Sequence, residues 1–186
     1  MLTFCLLLLA SGVECTEELP MTMIDNNGNT VEFFVAENED GMCVPHGEWV
    51  ELYGKGDQVK LVGNYKLGKQ DGEWKWWFEN GEFERIGHFK NGIETGHWIW
   101  WHSSGRKIQD GYFCSGQQCG KWIQWWPNGN MKSEVVWQSG KINGEVINYF
   151  PNGHVSVHGY MNQDKKTGEW MWFDDQGNVI KQEKLD

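Results

Sequence analysis

No lysine or arginine occurs before Gly47, although eight acidic residues do. From Gly47 onward 18 acidic residues stand against 16 basic ones. The body of the chain therefore lacks the cationic surplus that nucleic acid or an anionic lipid surface selects. Catalytic signatures are missing too: there is no G-x-S-x-G, no P-loop and no H-E-x-x-H. No long stretch has a 3.6-residue period, and glycine recurs too often for helix. No apolar run reaches the ~20 residues of a membrane-spanning helix.

Glycine and tryptophan are plentiful, with 24 and 13 residues, and they fall in register. Gly47, Gly72, Gly96, Gly120, Gly144 and Gly168 recur at steps of 25, 24, 24, 24 and 24. Two residues after each comes Trp49, Trp74, Trp98, Trp122, Val146 or Trp170. A fixed period of this length marks a repeat array. A second glycine column (Gly56, Gly81, Gly105, Gly129, Gly153, Gly177) lies nine residues after the first, in contexts such as Asn80-Gly81, Asn128-Gly129 and Asn152-Gly153. Asn-Gly between apolar runs predicts a hairpin with a type I′ turn, which needs positive φ at both central residues. A second run ends on Tyr65, Phe89, Phe113, Trp137, Met161 or Leu185, and Gly68, Gly92, Gly116 and Gly140 follow; Asp164 breaks that last column.

One unit therefore reads as strand, tight turn, strand, glycine-rich turn. The expected fold is all-β: an elongated antiparallel sheet or solenoid of about six consecutive 24-residue β-hairpin repeats, at 47–71, 72–95, 96–119, 120–143, 144–167 and 168–186. The single 25-residue step predicts a bulge or longer loop between Gly56 and Gly63. Alternation puts Trp74 and Trp76 on one face and Lys75 and Trp77 on the other. The second face repeats as a clean apolar pair (Ile99/Trp101, Ile123/Trp125, Ile147/Tyr149, Met171/Phe173), so it is expected to be the core. The first face is mixed and is expected to be partly exposed, or covered by a neighbouring layer. Residues 13–46 form an acidic segment, with a degenerate capping hairpin expected over Met21 to Val35, because terminal repeats need an atypical outer face. The turn Asp25-Asn26-Asn27-Gly28-Asn29 lacks the downstream Glu of a calcium loop and reads as a plain turn.

The pattern Gly-x-Trp-x-x-aromatic-x-x-x-Gly, followed by aromatic-x-x-Gly-x-x-x-Gly, resembles the MORN-repeat variant family. Gly72-Glu73-Trp74 through Phe78, Asn80-Gly81, Phe89 and Gly92 carries it, as does Gly120-Lys121-Trp122 through Trp126, Asn128-Gly129, Trp137 and Gly140. The resemblance covers about Gly47 to Asp186. It implies stacked β-hairpins and a scaffold or interaction role. Some bacterial members are described as antitoxin-like, which would make the chain an inhibitor of a partner protein. No catalytic residues come with it.

Leu6 to Ala10 is a short apolar run, and Ala10-Ser11-Gly12 supplies small residues where a signal peptidase cuts, so residues 1–12 read as a signal peptide and the protein as exported: periplasmic, cell-surface or secreted. Membrane association would come only through lipidation at Cys15, and Glu14 stands where a lipobox needs a small residue. In an exported chain Cys15, Cys43, Cys114 and Cys119 suggest disulfides, Cys114 with Cys119 across one inter-unit turn and Cys15 with Cys43 at the N-terminal end. A zinc site on Cys114 and Cys119 would need two more ligands, His97 and His102 being nearest in sequence. His154 and His158 lie ~13 Å apart along a strand at ~3.3 Å per residue, too far for one metal. Glu48, Glu73, Glu145 and Glu169 recur as a column, whereas catalytic carboxylates sit once in a unique pocket. The reading is a non-enzymatic scaffold without cofactor or metal, binding a protein through its sheet surface. Glycan binding on a ladder of Trp76, Trp100 and Trp172 is the alternative.

Overall fold

The computed structural model describes Cys15 and residues 21–185; the signal-peptide reading of 1–12 lies outside them. Fourteen β-strands and no helix are found among the described residues, so the all-β hairpin architecture is as expected. The chain divides into two compact units, Met1–Ile93 and Glu94–Asp186. Within each, strands pair antiparallel with their sequence neighbours.

In the first unit the strands are β1 (Met21–Ile24), β2 (Thr30–Glu37), β3 (Cys43–Leu52), β4 (Val59–Lys66), β5 (Lys69–Trp77) and β6 (Phe83–Lys90). β1 and β2 pair as a hairpin within the acidic segment, where a degenerate capping hairpin over Met21 to Val35 was expected. Its turn is held by the Asp25 carboxylate, which accepts the Asn27 and Asn29 backbone N–H groups, both at 2.8 Å. Val31, Phe33, Val35 and Cys43 form a buried cluster, with Met21, Met23 and Trp49 packed against it. A disulfide joins Cys15 to Cys43. The extra residue before Gly63 lengthens a hairpin loop: Tyr53 N–H reaches Gln58 O, where the next hairpin closes from Phe78 to Glu82.

The second unit holds β7 (Ile93–Trp101, beginning at the boundary), β8 (Lys107–Cys114), β9 (Gln117–Trp125), β10 (Met131–Gln138), β11 (Lys141–Tyr149), β12 (Val155–Asn162), β13 (Lys165–Phe173) and β14 (Val179–Leu185). The opening glycines lie inside strands rather than at their starts: Gly120 falls within β9 and Gly168 within β13. They take positive φ of 67° and 66° where the register slips, a bulge conformation that favours glycine. The second disulfide, Cys114–Cys119, bridges the β8–β9 turn.

The type I′ turn expected at Asn-Gly is not found there. In the Asn-Gly turns only the glycine has positive φ (Gly81 86°, Gly129 91°, Gly153 91°). Gly81 N–H bonds Phe78 O and Phe78 N–H bonds Glu82 O. This is a type I turn followed by a left-handed glycine, a three-residue loop in which asparagine stays right-handed. The asparagine side chain closes the loop instead, as Asn152 Oδ1 accepts His154 N–H at 3.0 Å. Two-residue turns with both central φ positive occur at the other connections: Leu67-Gly68, Asn91-Gly92, Ser115-Gly116, Ser139-Gly140 and Gln163-Asp164. Each one's second residue donates its N–H to the preceding repeat: Gly68 to Pro45 O, Gly92 to Gln70 O, Gly116 to Glu94 O, Gly140 to Gln118 O and Asp164 to Ile142 O, over 2.7–3.0 Å. Asp164 keeps the pattern without glycine, because its carboxylate also accepts Ile142 N–H at 2.7 Å, a local bond that helps aspartate tolerate the left-handed region.

The face assignment is also corrected. The buried row is the Trp column, on the face expected to be partly exposed or covered by a neighbouring layer: Trp74, Trp98, Trp122, Val146 and Trp170 are 1–6 % exposed. The expected core pairs, Ile99/Trp101 through Met171/Phe173, are only half-buried. Reading strands singly missed what the intervening strands add. Ile99, Ile123, Ile147 and Met171 are registered with Asp110, Glu134, His158 and Gln182, which keeps that face wet. The Trp face is interleaved with glycine and aromatic residues. Phe113 stands edge-on to Trp98 and Trp122, with ring centroids 5.8 and 5.1 Å away, and Tyr65 does the same to Trp74 at 5.2 Å. Such contacts add ~0.5–1.5 kcal/mol per pair beyond burial.

Candidate functional site

Two faces thus differ in what they can do. On the Trp face the three rings proposed as a sugar ladder do not form an open platform. Trp76 is 8 % exposed, with the Arg85 guanidinium 4.2 Å from its ring centroid. Trp100 lies 5.6 Å from each of Trp98 and Trp122 and is half-buried between them. Trp172, also half-buried, carries Lys166 at 4.9 Å and Lys181 at 4.4 Å. A sugar would have to displace these partners before it could stack.

The opposite face of the second unit combines a half-exposed apolar row with polar pairs built by the repeat. His97 with Asp110, Lys121 with Glu134, Glu145 with His158 and Glu169 with Gln182 each span 13 residues and join neighbouring strands. Around them Ile108, Tyr112 and Tyr160 are exposed, and Tyr112 stacks on His97 with centroids 4.7 Å apart. Burial tends to raise the Asp110 carboxyl's pKa, but hydrogen bonds from His97 and Lys107 outweigh it and hold it below the usual range. Burial likewise opposes ionisation of Glu134, and bonds from Lys121 and Tyr149 prevail and lower it. Burial, then the Glu134 hydrogen bond and carboxylate charge, push the Tyr149 phenol up to about 12. Tyr149 therefore stays a donor to Glu134, at 2.6 Å.

Two concavities open on the edge of this face nearest the Asn-Gly turns. One, of about 480 Å³, is lined among others by Glu145, Ile147, His154, His158 and Phe173. The other, of about 130 Å³, involves Arg106, Lys107, Trp125 and Trp126. His158 Nε2 donates to Glu145 Oε1 at 2.9 Å. His154 Nδ1 donates to Asp175 O at 2.7 Å, leaving Nε2 of the neutral ring as an acceptor.

Cys114 and Cys119 are joined to each other, so they supply no thiolates for the zinc site weighed above. No group of three or more His, Cys, Asp or Glu residues suited to a metal is found among the described residues. No helix among them is long and apolar enough to cross a membrane. Sequence reasoning named none of the groove residues as a site. Only the half-repeat alternation on neighbouring strands, read together, could have signalled it.

Residues 70–91 and 118–139 match the family model of the MORN repeat variant. The two windows are offset by 48 residues, two repeat lengths, and each runs from early in one strand through the Asn-Gly turn to the following tight turn. No curated protein matches the chain.

Proposed function

From a chain that carries MORN-variant repeats, we infer an exported, non-enzymatic scaffold that binds another protein through its β-sheet surface. One observation carries the reading: in the second unit the column Trp98, Trp122, Val146 and Trp170 is buried on one face, while the whole row Ile99/Trp101, Ile123/Trp125, Ile147/Tyr149 and Met171/Phe173 is only half-buried on the other. Half-buried aromatic and aliphatic side chains ringed by charge are the composition of protein interfaces. Repeats also suit a continuous binding surface. Inhibition of the bound partner is the narrower form of the same activity. Two disulfides fit an oxidising compartment, which supports export. The columns of carboxylates recur rather than converge, which favours binding over catalysis.

Capture of a partner from the secreted or periplasmic fraction tests this. The wild-type chain retains a discrete protein, and the Ile123→Asp/Met171→Asp variant loses it while melting as a folded protein. Retention of polysaccharide in place of protein, weakened by Trp100→Ala, would move the function to the Trp face.

A further inference from the structure

The repeat provides its own reference for the larger groove. Two repeats earlier, Lys107 places its Nζ 5.2 Å from the Trp125 ring centroid and 2.9 Å from Asp110 Oδ2. A cation there rests on an aromatic face with a carboxylate beside it. Adding 48 residues converts Lys107 to Val155, Trp125 to Phe173, His97 to Glu145 and Asp110 to His158. The ring and the carboxylate persist, although the acid has moved to the other member of the pair. The long cationic side chain is replaced by a short apolar one. Where Lys107, Trp125 and Arg106 line a concavity of about 130 Å³, their equivalents Val155, Phe173 and His154 line one of about 480 Å³ that also takes in Glu145 and His158.

We propose that this groove receives an arginine side chain of the partner protein, which takes the place that Lys107 fills from within the chain. The proposal rests on the scaffold reading and specifies its contact. Phe173 supplies a ring face for the planar guanidinium, and Ile147 and Val155 flank the aliphatic stem. Glu145, whose side chain is 44 % exposed, is the anionic acceptor. A guanidinium can lie on the ring and donate to the carboxylate, where an ammonium acts as a point charge. No lysine or arginine is among the residues that line the groove, so the Glu145 carboxylate there is not outweighed by a lining cation and favours a basic side chain.

The test titrates the full chain with acetyl-Gly-Arg-Gly-amide and follows the ring signals of His154 and His158 by NMR. Saturable shifts at millimolar peptide are expected. The same tripeptide with neutral citrulline gives none. Glu145→Gln weakens binding about fivefold, the upper range for a solvent-exposed ion pair. Val155→Lys abolishes it, because the new lysine occupies the groove as Lys107 does, and that reference position shows the substitution to be compatible with folding. Equal binding of citrulline, unchanged affinity in Val155→Lys, or no shift at either histidine overturns the proposal. Should those results come while Ile123→Asp/Met171→Asp still abolishes protein capture, the groove assignment alone falls. If the tripeptide binds as expected and no protein is captured, the scaffold reading falls.

Discussion

Two places in the second unit solve one packing problem in opposite ways. At Gly111 and Gly159 the neighbouring Trp122 and Trp170 lie flat on the glycine, so close that a Cβ there would come within 2.2 Å of the indole. Each indole Nε1–H donates to the next carbonyl, of Tyr112 or Tyr160, at 3.1 Å. Between these two lies the pair Val135 and Val146, registered directly opposite each other. The Trp has become smaller and the glycine larger together, at the same 11-residue spacing. The backbone follows. At Trp122 the register slips between Asp110 and Tyr112, around Gly111. At Val146 it slips one residue later relative to the repeat, between Val135 and Trp137. Gly144 accordingly has φ of 140°, against 67° at Gly120. The fifth unit, weakened in its sequence pattern, is therefore a compensated exchange rather than a decayed copy.

The largest way to break this comparison is to remove the ring alone. Trp122→Ala leaves Gly111 without its cover and should cost ~3–5 kcal/mol, as for other large aromatic deletions in a core. Denaturant melts report it; a loss below ~1 kcal/mol would mean that the Trp column is surface decoration. Gly111→Ala should cost ~1–3 kcal/mol, because the added methyl group must push an indole that is held by its own hydrogen bond. Next comes the exchange itself. Val146→Trp alone meets the Val135 side chain and destabilises, whereas Val135→Gly/Val146→Trp recovers part of the loss. A double-mutant cycle should give a favourable coupling of ~0.5–3 kcal/mol, and additive costs would show the two positions to be independent.

The period of the hairpins was readable before any coordinates, because columns of glycine and tryptophan recur regardless of how strands pack. Both cysteine pairs were readable for a related reason: the two residues of each flank one local connection or one end of the chain. The faces were not. Along β9 alone, Trp122/Gln124 looks wetter than Ile123/Trp125, and only the neighbours Gly111, Asp110 and Glu134 decide which side is dry. Turn type failed similarly: Asn-Gly permits a two-residue turn, but the loop closes one residue wider and needs positive φ only at glycine. The groove was hidden most deeply. Its meaning lies in Val155 standing where Lys107 stood, a substitution visible in the columns but mute until Trp125 is seen under the lysine and Phe173 is seen to line one concavity with Val155.

The mildest effect is expected where the comparison moves from shape to charge. The Val135–Val146 pair is indifferent to pH, whereas the polar pairs on the opposite face are not. Asp110 and Glu134 have carboxyl pKa values lowered in the folded chain, since their hydrogen bonds overcome the opposing effect of burial. A depressed folded pKa means that stability is fully present above the unfolded carboxyl range and is lost as pH falls through the folded value. His97 is 39 % exposed, so solvent screening limits its pair with Asp110 to at most ~1 kcal/mol. The expected result is a shallow decline in melting temperature below about pH 4, where the ordinary aspartate range lies. Asp110→Asn should flatten part of that decline and leave the plateau above it slightly lower. Val135→Gly/Val146→Trp should move the whole curve without changing its acid slope. An acid slope unaltered by Asp110→Asn would remove this pair from the stability of the face and leave shape as the only difference that matters between the repeats.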